Sequence, residues 1–122
     1  MNIELKRVYE QPLPEDGLRI MIDRLWPRGV SKQAAAIDTW MKNLAPSPEL
    51  RKWFCHQPEQ FEEFQLLYIK ELETDPVKLE LAEQIHKAAE AGKVTLVYAA
   101  KDPQYNHANV LSKWLSSFWD EN

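Results

Sequence analysis

Three short stretches of the chain carry the hydrophobic pattern of β-strands. Alternating apolar and polar residues over Ile3–Tyr9 predict one strand, and the apolar run Leu18–Trp26, which stops before Pro27, predicts a second. Val94–Ala100 is rich in residues that favour strands and follows Gly92, so it predicts a third. Because this third run is apolar on both faces, we expect a parallel sheet that is covered on two sides.

A small polar residue followed by proline marks the expected starts of helices. Ser47-Pro48, Asp75-Pro76 and Asp102-Pro103 each supply an N-cap followed by a residue whose missing N–H costs nothing at the first helical position. Apolar residues with helical spacing follow these pairs. The stripes are Phe61, Phe64, Tyr68 and Leu72; Val77, Leu81, Ile85 and Ala88; and Val110, Leu111, Trp114, Leu115 and Phe118. We therefore expect three amphipathic helices that pack on the sheet.

The segment between Ser31 and Leu44 fits two interpretations, because its apolar residues have helical spacing whereas a strand here would complete the sheet. We expect a helical turn over Ser31–Ala35 and a strand over Ile37–Lys42. The order of elements then predicts an α/β fold, a three-layer α/β/α sandwich with a mostly parallel sheet of about four strands. Since no linker or repeat divides the chain, residues 1–122 are expected to form a single α/β domain.

Composition narrows the setting in which this domain works. The 122 residues are 44% hydrophobic and include five Trp, four Tyr and four Phe, which is typical of a folded domain with an aromatic core. Cys55 is the only cysteine, so an intrachain disulfide and a cysteine-based zinc site are excluded, and no metal or cofactor is predicted. The lone cysteine and the lack of a leader or membrane-spanning pattern lead us to expect a cytoplasmic protein with no membrane partner.

The charge balance bears on the choice of partner. Fifteen Lys and Arg residues against nineteen Asp and Glu residues give a formal net charge of −4. Proteins that bind duplex DNA through phosphate neutralisation need an excess of positive charge. Nucleic acid is therefore a disfavoured partner, although a local basic cluster is compatible with this balance.

The carboxyl edge of the predicted sheet is where a ligand crevice is expected, because the loops that follow parallel strands converge there. The residues that the sequence delivers to this edge are Arg24, Arg28, Lys101, Asp102, Asn106 and His107. Guanidinium groups and a helix N-terminus both favour anions, so this set predicts a site for phosphate or carboxylate. Ser47 and Arg51, at the start of another helix, are expected to add a hydroxyl and a further guanidinium.

The candidates for proton transfer in this site are His107, Asp102 and Lys101. A histidine at a strand-to-helix turn suits the role of general acid or base, since imidazoles titrate near neutral pH. The alternative is that the His107 imidazole only donates a hydrogen bond to a nearby carbonyl. In the same alternative, the ligand-free interpretation, none of these residues binds a ligand: Arg24 pairs with Asp23 or Asp102, the side chains of Ser47 and Asp102 only cap helices, and Arg51 is solvated.

Four sequence motifs are spread over essentially the whole chain: KRVY, DRLWPRGVSK, LAPSPELRKWF and YAAKDPQYNHA. In combination they resemble the YeaO-like family of small bacterial proteins, a domain of unknown function. The resemblance implies a compact α/β unit and leaves the reaction open. The motif positions are Arg24, Trp26, Pro27, Arg28 and Gly29; Pro46, Ser47, Arg51, Trp53 and Phe54; and Lys101, Asp102, Asn106 and His107. These positions overlap the crevice selected from strand polarity.

Three functions follow from the sequence as hypotheses. The first is a small enzyme or binding protein that holds a small anionic molecule through Arg24, Arg28 and Lys101. The second is a regulatory or nucleic-acid-associated protein that uses the same basic cluster on phosphates. The third is a non-catalytic interaction module, monomer or homodimer, whose interface is the aromatic C-terminal end at Trp114, Phe118 and Trp119.

The parallel strands and the apolar stripes each predict where particular side chains lie. Because the strands are expected to be parallel, Arg24, Arg28, Lys101 and His107 should converge at one end of the sheet. Five residues on the apolar stripes or in the strands should be largely buried: Trp53, Phe64, Tyr68, Val97 and Trp114.

Overall fold

A parallel four-stranded sheet forms the centre of the computed structural model, which describes residues 2–55 and 57–120, without the side chains of 119 and 120. The strands are β1 (Ile3–Arg7), β2 (Leu18–Met21), β3 (Thr39–Trp40) and β4 (Val94–Tyr98). The helices are α1 (Lys32–Ala35), α2 (Pro48–Phe54), α3 (Phe61–Thr74), α4 (Pro76–Ala91) and α5 (His107–Asp120). Single 3-10 turns occupy Pro14–Asp16, Lys42–Leu44 and Pro58–Gln60.

The strand order is β1-β4-β2-β3, and every neighbouring pair is parallel. Strand β4 is therefore flanked on both edges, and all five of its residues are buried. This confirms the predicted α/β class and the parallel sheet of four strands. The segment after Ser31 also folds as expected, with one helical turn followed by the short edge strand β3.

The two faces of the sheet are covered unequally. Helices α3, α4 and α5 bury one face in a cluster that includes Ile20, Leu96 and Tyr68. The other face packs Met21 and Val97 against α1 and the loop that precedes it. The fold is thus a three-layer α/β/α sandwich in which the second helical layer is a single turn of helix.

A buried ionic cluster fixes that thin layer to the amino-terminal half of the sheet. The Asp16 carboxylate accepts hydrogen bonds from Arg19 Nη1 at 2.7 Å and from Lys6 Nζ at 3.1 Å. The guanidinium of Arg19 also donates to the carbonyl oxygens of Ala35 and Ala36, at the end of α1. Since Arg19 is only 3% exposed, the carboxylate is its charge partner in place of water.

Two of the three predicted helix caps are confirmed. The side chains of Ser47 and Asp75 accept backbone N–H groups at the starts of α2 and α4, each followed by proline. The third prediction was wrong, because Asp102 Oδ1 accepts the N–H groups of Gln104 and Tyr105 and closes a turn instead. Helix α5 begins later, at His107.

The predicted burial was right for four of the five residues. Phe64, Tyr68, Val97 and Trp114 are each at most 5% exposed, but Trp53 is 41% exposed. Helix α2 buries Leu50 and Phe54. Trp53, one residue before Phe54, lies about 100° around the helix from Phe54 and therefore away from the core.

The apolar stripe predicted for α4 was also partly wrong. Its buried residues are Lys78, Ala82, Ile85 and Ala89, whereas Val77 is 49% exposed. The helix can turn a lysine inward because Lys78 Nζ donates to the carbonyl oxygens of Asn43 and Ala45. A buried charge with such partners replaces the apolar residue that the periodicity suggested.

Candidate functional site

A crevice of about 750 Å³ opens at the carboxyl edge of the sheet. It lies between the loop that follows β2, the segment after β4, the start of α5 and one side of α2. The predicted site residues that line it are Arg24, Arg28, Arg51, Lys101, Asp102, Asn106 and His107. The placement expected for Arg24, Arg28, Lys101 and His107 is therefore confirmed, because parallel strands deliver their following loops to one edge.

Asp23 and His107 open the crevice by ending the pairing of β2 with β4. The last regular bond joins the Ile22 N–H to the carbonyl of Val97, and the ladder would next pair the Ala99 N–H with the Ile22 carbonyl. Instead, Ala99 donates to Asp23 Oδ2 at 3.0 Å, and the Ile22 carbonyl lies 3.2 Å from His107 Nε2. Two side chains thus replace the next ladder bond, and β2 leaves the sheet several residues before the predicted end at Trp26.

The same two residues form a close acid–base pair. Asp23 Oδ1 lies 3.3 Å from His107 Nε2. Because both neighbours of Nε2 are acceptors, the proton of a neutral imidazole belongs on Nε2, which makes Nδ1 the proton-accepting nitrogen. Asp23 Oδ1 is buried and makes no hydrogen bond within the described part of the chain. The contact of His107 with the Ile22 carbonyl is the one that the ligand-free interpretation predicted. Asp23 is a site residue that sequence reasoning did not select.

Arg24 braces one wall of the crevice. Its Nε and Nη2 atoms donate to the carbonyl oxygens of Ala45 and Pro46, at 3.3 Å each. The Tyr68 hydroxyl donates to the neighbouring carbonyl of Leu44, so side chains hold this stretch of backbone in place. Arg24 therefore does not pair with an aspartate as the ligand-free interpretation predicted. Its Nη1 makes no hydrogen bond to any described residue.

Lys78 holds the same wall from the other side, and its environment is electrostatically unfavourable. Desolvation by burial lowers the pKa of the Lys78 ammonium, an effect that Glu71 and Asp75 oppose and that Arg24 reinforces. Two cations are thus brought close to the same backbone segment. The carbonyl dipoles of this backbone segment compensate both Lys78 and Arg24, because carbonyl oxygens are the partners that buried ammonium and guanidinium groups require.

Three further cations stand at the rim of the crevice. Arg28, Arg51 and Lys101 are all exposed, and none forms an ion pair with a carboxylate within residues 2–55 and 57–120. The Tyr9 hydroxyl donates to the Arg28 carbonyl at 3.3 Å, and this ties the rim loop to the segment after β1. With Arg24, four cations line the crevice, against the two carboxylates of Asp23 and Asp102.

Some predicted site residues have structural partners that account for their polar atoms. Ser47 does not line the crevice: its hydroxyl donates to Glu71 Oε2 at 2.6 Å and accepts the Leu50 N–H. Asn106 does line it but is buried, with its amide donating to the Asp102 carbonyl and its Oδ1 accepting the Asn109 N–H. Asn106 is therefore the cap of α5, the role that the sequence gave to Asp102.

The described residues contain no group of three or more side chains that could hold a metal ion. They also include no helix with the length and apolar character needed to cross a membrane.

Together, these features define a small α/β protein with a ligand-sized crevice at the carboxyl edge of a parallel sheet. Residues 2–122 match a family model described as "Inactive DUF488-N3 subclade". The chain is 41% identical over 117 residues to the "Uncharacterized protein YeaO" of Escherichia coli (strain K12), covering 96% of this chain and 99% of that protein. It belongs to this YeaO-like family of unknown function.

Mycobacterial relatives are similar at the same level. An uncharacterized protein of Mycobacterium tuberculosis (strain ATCC 25618 / H37Rv) is 40% identical over 115 residues, which cover 94% of each chain. An uncharacterized protein of Mycobacterium bovis (strain ATCC BAA-935 / AF2122/97) matches with the same identity and coverage. No solved structure matches the chain.

Proposed function

We propose that this protein binds a small anionic ligand, bearing a phosphate or carboxylate group, in the crevice at the carboxyl edge of the sheet. The observation that carries the proposal is the set of exposed rim cations, Arg28, Arg51 and Lys101, which have no carboxylate partner among the described residues. Guanidinium groups suit the paired oxygens of phosphate and carboxylate. The crevice volume of about 750 Å³ is in the range of small-molecule sites.

Binding rather than catalysis is the core of the proposal. The Asp23–His107 pair could transfer a proton through Nδ1, with Lys101 and Asp102 nearby, but no reaction follows from these groups alone. The word "inactive" in the description of the family model also favours a binding role. We place this role in the cytoplasm, since a single exposed cysteine suits a reducing compartment.

Ligand-induced stabilisation tests the proposal. An anion that binds only the folded crevice stabilises it by about 1 to 3 kcal/mol when its concentration is roughly ten to a hundred times Kd. Phosphate should therefore raise the melting temperature more than chloride does at matched ionic strength. Sulfate and phosphate also stabilise proteins by surface exclusion, so the comparison requires variants with and without the site.

Arg51→Ala and Lys52→Ala form a matched pair for that comparison. Both residues are exposed on α2, they are adjacent, and both substitutions remove one positive charge, but only Arg51 lines the crevice. We expect the phosphate-specific stabilisation to fall in Arg51→Ala and to persist in Lys52→Ala. Equal stabilisation of both variants and of the unmodified protein would leave only the solvent effect and remove the anion site.

A further inference from the structure

The crevice changes character from its rim to its floor. The rim cations Arg28, Arg51 and Lys101 are exposed to solvent. Phe54 and Phe64, which also line the crevice, are only 5% and 2% exposed, and their stacked rings lie 4.3 Å apart between centroids. Positive charge is therefore accessible at the rim, whereas the floor is closed by packed aromatic rings that offer no polar group.

The size of the crevice and the carboxylate of Asp23 restrict what can fill it. A cavity of about 750 Å³ is large for an inorganic phosphate and is typical of sites for larger molecules. The Asp23 side chain also lines the crevice, is only 17% exposed, and would repel a second anionic group. The ligand that fits has one anionic end at the rim and an uncharged, apolar body.

Tyr9 provides an accessible aromatic surface in the crevice. Its ring lines the crevice and the residue is 51% exposed. The hydroxyl is engaged by the Arg28 carbonyl, and the Arg7 guanidinium lies over the ring, 5.0 Å from its centroid. The ring is thus oriented by its contacts while half of its surface stays open, which is the condition for packing against another ring.

We propose that the crevice takes an anion carried on a planar aromatic ring, an aryl phosphate or aryl carboxylate, with the anionic group at Arg51 and Lys101 and the ring against Tyr9. This inference rests on the proposed anion-binding function and names the class of its ligand. It requires that the ring add affinity beyond that of the anion alone and beyond that of an equally large ring that is not planar.

Titration calorimetry with three phosphates tests both requirements at equal charge when the pH is well above the second ionisation of each, so that all three are dianions. The probes are inorganic phosphate, cyclohexyl phosphate and phenyl phosphate at matched ionic strength. We expect phenyl phosphate to bind about tenfold more tightly than inorganic phosphate, with cyclohexyl phosphate between them, because an aromatic contact adds to simple apolar burial. Phenyl phosphate binding no more tightly than either of the others would overturn the inference.

Variants at Tyr9 identify the contact. Tyr9→Phe keeps the ring and removes the bond to the Arg28 carbonyl, whereas Tyr9→Leu keeps an apolar side chain without a ring. We expect the preference for phenyl over cyclohexyl phosphate to persist in Tyr9→Phe and to disappear in Tyr9→Leu, with circular dichroism confirming that both variants are folded. A preference that survives in Tyr9→Leu contradicts the placement of the ring.

The aromatic ligand class and the anion-binding function would be contradicted by different results. If inorganic phosphate binds in an Arg51-dependent manner but phenyl phosphate has no advantage, only the aromatic ligand class is wrong. If none of the three phosphates binds more tightly than chloride, the anion-binding function is wrong and the aromatic ligand class falls with it.

Discussion

Replacing Asp16 by asparagine should destabilise the protein, because it removes the charge of one partner in a buried ion pair. The carboxylate is 5% exposed and accepts hydrogen bonds from Arg19, Lys6 and the backbone N–H of Leu13. Breaking a buried ion pair from one side costs about 3 to 5 kcal/mol, because the other charge stays buried. Arg19 retains its bonds to the end of α1, and Lys6 is partly exposed, so we expect the lower end, about 3 kcal/mol.

Urea denaturation measures this loss as a decrease in the free energy of unfolding. Glu15→Gln is the matched control, since it removes the same charge from the adjacent, exposed residue and should change stability by less than about 0.5 kcal/mol. A loss of under about 1 kcal/mol in Asp16→Asn would refute the claim that the buried Arg19 guanidinium depends on the Asp16 carboxylate as its charge partner.

The pH dependence of the stability difference between the unmodified protein and Asp16→Asn provides a second measure of the Asp16 ion pair. Burial raises the pKa of Asp16, but the Leu13 N–H and the side chains of Lys6 and Arg19 outweigh it and hold the pKa below its ordinary value of 3.8. A folded-state pKa below the unfolded one gives stability that is present above pH 3.8 and is lost as the pH falls through the folded value. The stability difference between the unmodified protein and Asp16→Asn should therefore shrink in acid, and a constant difference would contradict this cause.

Three further substitutions test the packing and the limits of the site. Gly17→Ala should cost more than about 2 kcal/mol in thermal unfolding, because Gly17 has a φ of +67° and an added Cβ would lie 2.2 Å from the Lys93 carbonyl oxygen. Gly29→Ala, with a φ of +76° and no atom within 4 Å of its Cβ, isolates the backbone strain and should cost less. Ser47→Ala should lower stability by about 1 to 2 kcal/mol through loss of its cap and its bond to Glu71, while calorimetry shows unchanged phosphate affinity.

The strands were predictable because their signal is local. Val94–Ala100 combines β-branched residues with a preceding glycine, and β4 lies within it. The Asp102-Pro103 pair misled because an aspartate before proline caps a turn as readily as a helix, and only the following backbone decides between them. Lys78 could not have been placed in the core from sequence, because its partners, the carbonyl oxygens of residues 43 and 45, are distant along the chain.

The site was predictable in outline for a topological reason. Once the strands are parallel, the residues after β2 and β4 must meet at one edge, so Arg24 and Lys101 were brought together correctly. The use that each side chain makes of its position depends on tertiary contacts that no spacing encodes. Asp23 was passed over although it lies at the end of the second strand, and its role follows from the break in the ladder beside Ala99. The signal available in the sequence was the position of Asp23 directly before Arg24, at the start of a motif rich in cations.

Nuclear magnetic resonance mapping of a phosphate titration tests the central claim most directly. Backbone amide shifts should change at the crevice, in the loop of residues 23–28 and in the segment of residues 99–107, and should leave the Asp16–Arg19 cluster at the opposite end of the sheet unaffected. Chloride at matched ionic strength should not change the amide shifts at the crevice. Shifts spread evenly over the surface, or equal with chloride, would contradict an anion site in the crevice.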